Sequence, residues 1–234
     1  MLSKLIHQKS FGRQLDNTQL NFPDGPWKSL LMRAYALFDT ISNDGILIPR
    51  WSLGGGTVLM FYYGHRKSKD IDIFIPDPQF LGYVNPRTGG YAEDLTSNYS
   101  DGAEFVKLFF PEGEIDFVAS TTLTSNPFSL HQVLDKNILL ESPVEIVAKK
   151  LWHRGDRATP RDLLDFAIVI DHQINEILSH ASIFKKNIDV FVEQCEQRRK
   201  IMATVFDAIE KINCNLSFDD CLHRVKELQK QLNS

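Results

Sequence analysis

The sequence predicts an α+β fold, a mixed β-sheet flanked by helices and followed by a helical C-terminal domain. Three observations lead there. Asp70-Ile71-Asp72-Ile73-Phe74 alternates with period two, as a strand buried on one face does. Glu104–Phe110 and Glu114–Ala119 read as a hairpin around Pro111-Glu112-Gly113. From Ser142 onward the spacing of apolar residues becomes helical and stays so, which divides the chain into a core domain, 1–141, and a helical domain, 142–234.

Taken in order, residues 1–25 are mixed and polar and end in the turn-rich Asn21-Phe22-Pro23-Asp24-Gly25. Leu30, Leu31, Ala34, Leu37, Phe38 and Ile41 then recur at three- and four-residue steps, which predicts a helix from Pro26 to about Ile41, stopped by Asn43-Asp44-Gly45. Ile46-Leu47-Ile48 leads into Gly54-Gly55-Gly56, and Thr57 to Tyr63 reads as the helix after the glycines. Residues 76–103 are rich in Pro, Gly, Asn, Asp and Ser, a long loop that fits either a lid over a site or a tolerated surface insertion. Ser142-Pro143-Val144-Glu145 is an N-cap, N1 proline and capping box for a helix over Pro143–Arg154; Thr159-Pro160-Arg161-Asp162 opens a second helix the same way. Phe184–Val192, Ile201–Ile212 and the segment from Ser217 continue in helical spacing, with Glu196, Arg198, Arg199 and Lys200 as a solvated face.

Bulk properties limit the function classes. At 234 residues and 43% hydrophobic content the chain can bury a sizeable core, and a net charge of −4 argues against a nonspecific electrostatic grip on nucleic acid. Cys195, Cys214 and Cys221 lack the spacing of a zinc site or disulfide frame and read as reduced thiols. MLSKLIHQKSFGRQL holds no apolar run suited to a leader, and no stretch of about 18 apolar residues predicts a spanning helix. A cytoplasmic protein without membrane contact is expected.

The chemistry concentrates in LGGGTVLMFYYGHRKSKDIDIF, Leu53–Phe74. On a strand Asp70 and Asp72 share a face, and paired carboxylates repel unless a cation sits between them; hard divalent ions prefer such oxygen ligands. Gly55 and Gly56 before a helix allow backbone amides to approach a phosphate, and the Thr57 hydroxyl adds a donor. Arg66 would pair with a phosphate or with these carboxylates, and Ser68 would bond near the metal. Asp116, or Glu114 two residues before it, would add a third carboxylate from the hairpin, since an aspartate in an apolar strand is costly without a partner. On the helix Pro143–Arg154, Lys150 is a candidate phosphate contact, whereas Lys149 reads as a solvated lysine. Asp162 has a helix-end role of its own; Asp165, one turn further in, would orient Lys150, Arg154 or the substrate if it faces a cleft.

GGT-x-L followed by HR-x-S-x-D-I-D resembles the signature of the DNA polymerase β-type nucleotidyltransferase superfamily, and more narrowly the AbiEii/AbiGii-type nucleotidyltransferase toxins. EIVAKKLWHRGDRATPRDLLDFAIV resembles that family's second block, an A-x-K-L lysine followed by Arg-Asp-x-x-Asp. The resemblance covers residues 50–75 and 140–170, with Asp116 as an isolated match. It implies a nucleotidyltransferase-type sheet and transfer of a nucleoside monophosphate from an NTP to an acceptor hydroxyl. It further implies Mg²⁺, or Mn²⁺, on Asp70, Asp72 and Asp116, with Lys150 and Asp165 in the catalytic set and Gly55, Gly56, Thr57, Arg66, Ser68 and Lys150 around the nucleotide. A tRNA 3′ end as acceptor, a toxin role and a cognate antitoxin follow from the resemblance alone. A catalytically silent nucleotide or RNA binder and an antitoxin-docking protein are the alternatives; kinase-like transfer is disfavoured because no Walker lysine follows the glycines.

Overall fold

Alternation along residues 71–75 places Ile71, Ile73 and Ile75 on one face and Asp72 and Phe74 on the other, and the structure, a computed structural model describing residues 20–234, is built around that strand. The N-terminal stretch read as leaderless lies at residues 1–15, outside the described residues.

Helix α1 (Trp27–Asn43) buries Leu30, Leu31, Ala34, Leu37, Phe38 and Ile41 as their spacing requires, and Gly45 takes the chain out of it at φ 83°. Strand β1 (Ser52–Gly54) runs into α2 (Gly55–Tyr63), which ends on the left-handed Gly64. Strand β2 (Ile71–Ile75) is followed by β3 (Tyr99–Asp101), the hairpin β4 (Phe105–Phe110) and β5 (Gly113–Ala119), and the hairpin β6 (Phe128–Val133) and β7 (Lys136–Glu141). The strands form one mixed sheet in the order β3-β4-β5-β2-β1-β7-β6. Within it β2 pairs in parallel with β5, and β1 with β7; the other neighbours are antiparallel. The aspartate-bearing strand is therefore central, ruling out an edge position.

Phe38 of α1 lies against Phe117 of β5, ring centroids 5.9 Å apart, so α1 covers the apolar face of the sheet. Phe80, from a turn of 3-10 helix over Pro78–Val84, packs on the same Phe38. The 76–103 segment is thus partly core: Phe80, Leu81 and Val84 are buried and β3 extends the sheet. Its buried turn sits on the face opposite Asp72 and Asp116, so that part of the loop is no lid over the carboxylates.

After the sheet come α3 (Pro143–Arg154), α4 (Pro160–Ser179), α5 (Ala181–Gln197), α6 (Arg199–Asp207) and α7 (Phe218–Asn233). Ser142 caps α3, and Thr159 with Asp162 forms a reciprocal capping box on α4. Buried residues on both sides of position 141 join one hydrophobic cluster. The helix expected over Ile201–Ile212 stops at Asp207. Beyond it Lys67 N donates to Glu210 O, Ile212 N to His65 O and Asn213 N to Gly64 O, and this tertiary pairing replaces the last helical turn. Cys195, Cys214 and Cys221 are free and buried. Among the described residues no helix is long and apolar enough to cross a membrane.

Candidate active site

Strand register builds the site. Lys107 on β4 is paired with Asp116 on β5, Asp116 with Asp72 on β2, and Asp72 with Gly54 on β1. Side chains paired across a sheet point the same way. The result is a row running Lys107, Asp116, Asp72, Gly54 across four strands, with Asp70 two residues from Asp72 just before β2. At Gly54 the missing side chain makes room for Glu141 Oε2 and the Phe74 ring, 2.4 and 2.7 Å from where a Cβ would stand, and Gly55, at φ 69°, brings the backbone so near Asp72 that an added Cβ would stand 1.9 Å from its Oδ2. Gly55 therefore permits the carboxylate and the start of α2 to touch.

Lys107 Nζ donates to Asp116 Oδ2 at 2.8 Å and to Glu114 Oε2 at 2.7 Å. Asp70 Oδ1 accepts from the Glu114 backbone amide at 3.0 Å. Asp116 Oδ1 is buried with no hydrogen-bond partner. Burial, and next the Asp72 charge, push the Asp116 carboxyl up to about 7 against the opposing pull of Lys107. Asp72 is also raised, first by burial and further by Asp70, while Arg154, Lys150 and Lys107 oppose the shift. Each carboxylate is costly to ionise without an additional cation. The all-oxygen donor set and the orphaned Oδ1 fit a hard divalent ion such as Mg²⁺. Among the described residues no three acidic, His or Cys side chains already converge as a metal cluster, consistent with Asp70 and Asp116 each lending one oxygen to a protein donor.

A second group of charges lies behind this row. Asp165, fully buried, accepts from Arg66 Nε at 2.7 Å and Nη2 at 2.8 Å, from Lys150 Nζ at 2.6 Å and from His65 Nε2 at 2.7 Å. Burial disfavours its charge, but Arg66 and Lys150 and the bonds from His65 and Arg66 outweigh that and hold the carboxyl well below its usual range. An ionised carboxylate only accepts, so His65 Nε2 carries the hydrogen. Lys150 also donates to Asp162 Oδ1 at 2.8 Å, as does Arg154 at 2.8 Å. Burial opposes ionisation of Asp162 too, and Lys150 and Arg154 overcome it.

These contacts correct several expectations. Arg66 hydrogen-bonds neither Asp70 nor Asp72; it is buried on Asp165, and its Nη2 would stand 2.4 Å from a Cβ added at Gly56, so Gly56 makes room for it at the start of α2. The Thr57 hydroxyl is buried and donates to Asp70 O at 2.5 Å, which removes it as a phosphate donor. Ser68 Oγ does lie beside the start of α2, 3.2 Å from that same Cβ position. Lys150 sits at the back of the cleft on Asp162 and Asp165, and Asp165 orients it. Lys149 is not solvated: it is buried on Glu141 Oε1 at 2.6 Å. Lys107 was missed although the signal existed, because a two-residue turn at Pro111-Glu112 puts residue 107 opposite 116. His65 opens the HR-x-S-x-D motif, but its bond to Asp165, 100 positions away, is a tertiary contact that no local pattern shows.

A family model described as "Nucleotidyl transferase AbiEii toxin, Type IV TA system" matches residues 36–231. The chain belongs to the AbiEii nucleotidyltransferase toxin family. As an AbiEii-family protein it is a nucleotidyltransferase, and the matched span includes both charge groups. No curated protein matches it. Similar solved structures include JHP933 from Helicobacter pylori, 15% identical over 91% of this chain and 95% of that one, with a TM-score of 0.47. A putative nucleotidyltransferase from H. pylori is 14% identical over 90% of this chain and 98% of its own, also at 0.47. MenT4, a nucleotidyltransferase toxin from Mycobacterium tuberculosis H37Rv, is 14% identical over 90% and 86%, again at 0.47. These likenesses are too distant to transfer the role of any residue to this AbiEii-family chain.

Proposed function

We propose that this protein moves a nucleoside monophosphate from an NTP to a hydroxyl of an RNA acceptor, a tRNA 3′ end, with release of pyrophosphate. The observation that carries the reading is the paired row Asp72–Asp116, with an orphaned oxygen, directly against the glycine start of α2. Asp70, Asp72 and Asp116 would hold Mg²⁺ or Mn²⁺. That ion, when bound, supplies charge neutralisation for the phosphates and the departing pyrophosphate.

The chain's own residues do the rest. Backbone amides at Gly55 and Gly56 face the terminal phosphates at the positive end of α2. Arg154, 46% exposed, has guanidinium surface left for the triphosphate beyond its bond to Asp162. Lys150 fixes the field at Asp72 from behind, held by Asp165 and Asp162. Asp116 takes the proton from the acceptor hydroxyl as the hydroxyl oxygen bonds to the α-phosphorus and the bond to pyrophosphate breaks. In this reading residues 1–141 supply the row, with Arg66 and His65 behind it, and residues 142–234 supply Lys150, Arg154, Asp162 and Asp165. The protein acts as the toxin of a toxin–antitoxin pair in the cytoplasm, and an antitoxin restrains it.

The test is incubation with each α-labelled NTP, Mg²⁺ and total tRNA, beside the Asp70→Ala, Asp72→Ala double variant. Label reaching RNA only with the intact aspartates is the expected result. Label that stays free with every nucleotide and every RNA fraction refutes it and leaves a silent binder.

A further inference from the structure

Followed away from the glycines, the carboxylate row leads onto an open part of the sheet. Asp116 is paired with Lys107 on β4, and Lys107 with Ser100 on β3, the edge strand. Two residues to either side of Lys107, Phe105 and Phe109 share its face, paired with Val118 and Glu114 of β5. Behind them Val106 and Leu108 are fully buried, whereas Phe105 is 39% exposed and Lys107 and Phe109 are half-buried. We infer that Phe105 and Phe109, flanking Lys107, form a stacking platform for unpaired bases at the 3′ end of the acceptor RNA; the inference rests on the nucleotidyltransfer reading above.

The direction of transfer brings the acceptor to this side. Attacking and leaving oxygens lie roughly in line on the phosphorus. With the terminal phosphates at the glycine start of α2, beside Asp72, pyrophosphate departs on the β1 side. The hydroxyl therefore arrives from the opposite side, over Asp116 and β4. Neighbouring strands are about 4.8 Å apart and a two-residue step along one is about 6.6 Å, so each ring stands roughly 8 Å from Asp116 along the sheet. That is the reach of a nucleotide next to the reacting end.

The chemistry of this face selects an unpaired strand. Every base offers a π-face to an aromatic ring, but in a duplex those faces are already stacked on one another. Phe105 is set in place before RNA arrives: its ring lies across Gly102, where an added Cβ would stand 2.6 Å from Cε1. Charge contributes little here, since Lys107 is already held by Glu114 and Asp116 and the chain carries a net charge of −4. Binding carried by rings should therefore weaken only slightly with salt, with a logarithmic slope of about −0.7, that of a single phosphate contact on a single strand.

The experiment is fluorescence anisotropy of the full chain in Mg²⁺, without NTP, on two labelled RNA hairpins, one blunt and one with a short unpaired 3′ tail. It compares wild type, Phe105→Ala, Phe109→Leu and Phe105→Tyr, with circular dichroism melts to confirm folding. The expected result is a wild type that binds the tailed hairpin on the order of ten-fold more tightly than the blunt one. Phe105→Ala and Phe109→Leu then lose most of that preference and leave the blunt hairpin unchanged, while Phe105→Tyr, which keeps a ring, retains it. A wild type that binds both hairpins alike or neither overturns the platform. So do variants that weaken both equally or not at all, a tyrosine variant as poor as the alanine, and a salt slope of several contacts. Labelling of the tailed hairpin from α-labelled NTP separates the two readings. A hairpin bound through the rings but never labelled defeats nucleotidyl transfer and leaves these rings as the face of a silent RNA binder. A hairpin labelled by wild type and Phe105→Ala with the same KM for RNA defeats the platform and leaves transfer standing.

Discussion

Replacing Asp165 by Asn tests the charge group behind the site, and its cost can be worked from the contacts. The carboxylate accepts four hydrogen bonds, from His65, Arg66 twice and Lys150. An amide keeps one accepting oxygen and turns an NH₂ toward donors, so at least one cation faces a donor instead of an acceptor. Lys150 retains Asp162, but no other carboxylate hydrogen-bonds Arg66, whose remaining bond runs from Nη1 to Lys67 O at 3.2 Å. Arg66 is 3% exposed, so its charge has almost no access to water. Stranding a buried charge in this way costs about 3–5 kcal/mol. A domain has only about 5–15 kcal/mol of stability in total. With a urea m-value near the upper end for small proteins, the midpoint should fall by roughly 1–2 M. Lys150→Met serves as the comparison, because it leaves Asp165 with Arg66 and His65, and Asp162 with Arg154; its loss should be smaller. Urea melts followed by circular dichroism measure both. A loss under about 1 kcal/mol for Asp165→Asn would mean the buried cluster is not what fixes this corner of the fold.

Three further outcomes follow from the same geometry. Gly55→Ala forces a Cβ into a left-handed position 1.9 Å from Asp72 Oδ2; about 1–2 kcal/mol of backbone strain plus a displaced carboxylate should lower the melting temperature and nearly abolish transfer, and normal transfer would show that Asp72 need not lie there. Glu141 is raised by burial from 4.5 to about 7, so between those values the folded state keeps a proton the unfolded chain has lost, and stability declines as pH rises through that window by at most about 3 kcal/mol. Melts of Glu141→Gln should show a flatter slope from pH 4.5 to 7, with Lys149 keeping Glu145 Oε1 at 3.6 Å; an unchanged slope excludes Glu141 as its source. Chelation with EDTA should stop transfer, and returning Mg²⁺ at about ten times its Kd should add on the order of 1 kcal/mol to wild-type stability but not to Asp72→Ala. Equal stabilisation of both proteins would place the ion elsewhere.

Much of the architecture follows from local pattern. The period-two run at 70–74 yields a strand, Ile71–Ile75, with Asp72 on the face away from its isoleucines and Asp70 one residue before it, and the Ser142 and Thr159 caps located the starts of α3 and α4. Neighbouring residues dictate such features through backbone hydrogen bonding and side-chain spacing, so they survive without knowledge of the rest of the chain. The segment 208–213 escaped this logic because its hydrogen bonds go to residues 64–67, and helical spacing is silent about a distant partner.

The site divides along the same line. Sequence alone determined which carboxylates could meet a cation and which glycines open the start of α2, because spacing on one strand and one turn decides both. Tertiary structure alone decided which cations serve phosphates and which serve the protein. Arg66 and Asp165 are 99 positions apart, and Lys149 differs from Lys150 only in the direction a helix turns it. Burial makes every charge require a partner, and which partner is within reach is settled only when strands and helices from distant parts of the chain pack together.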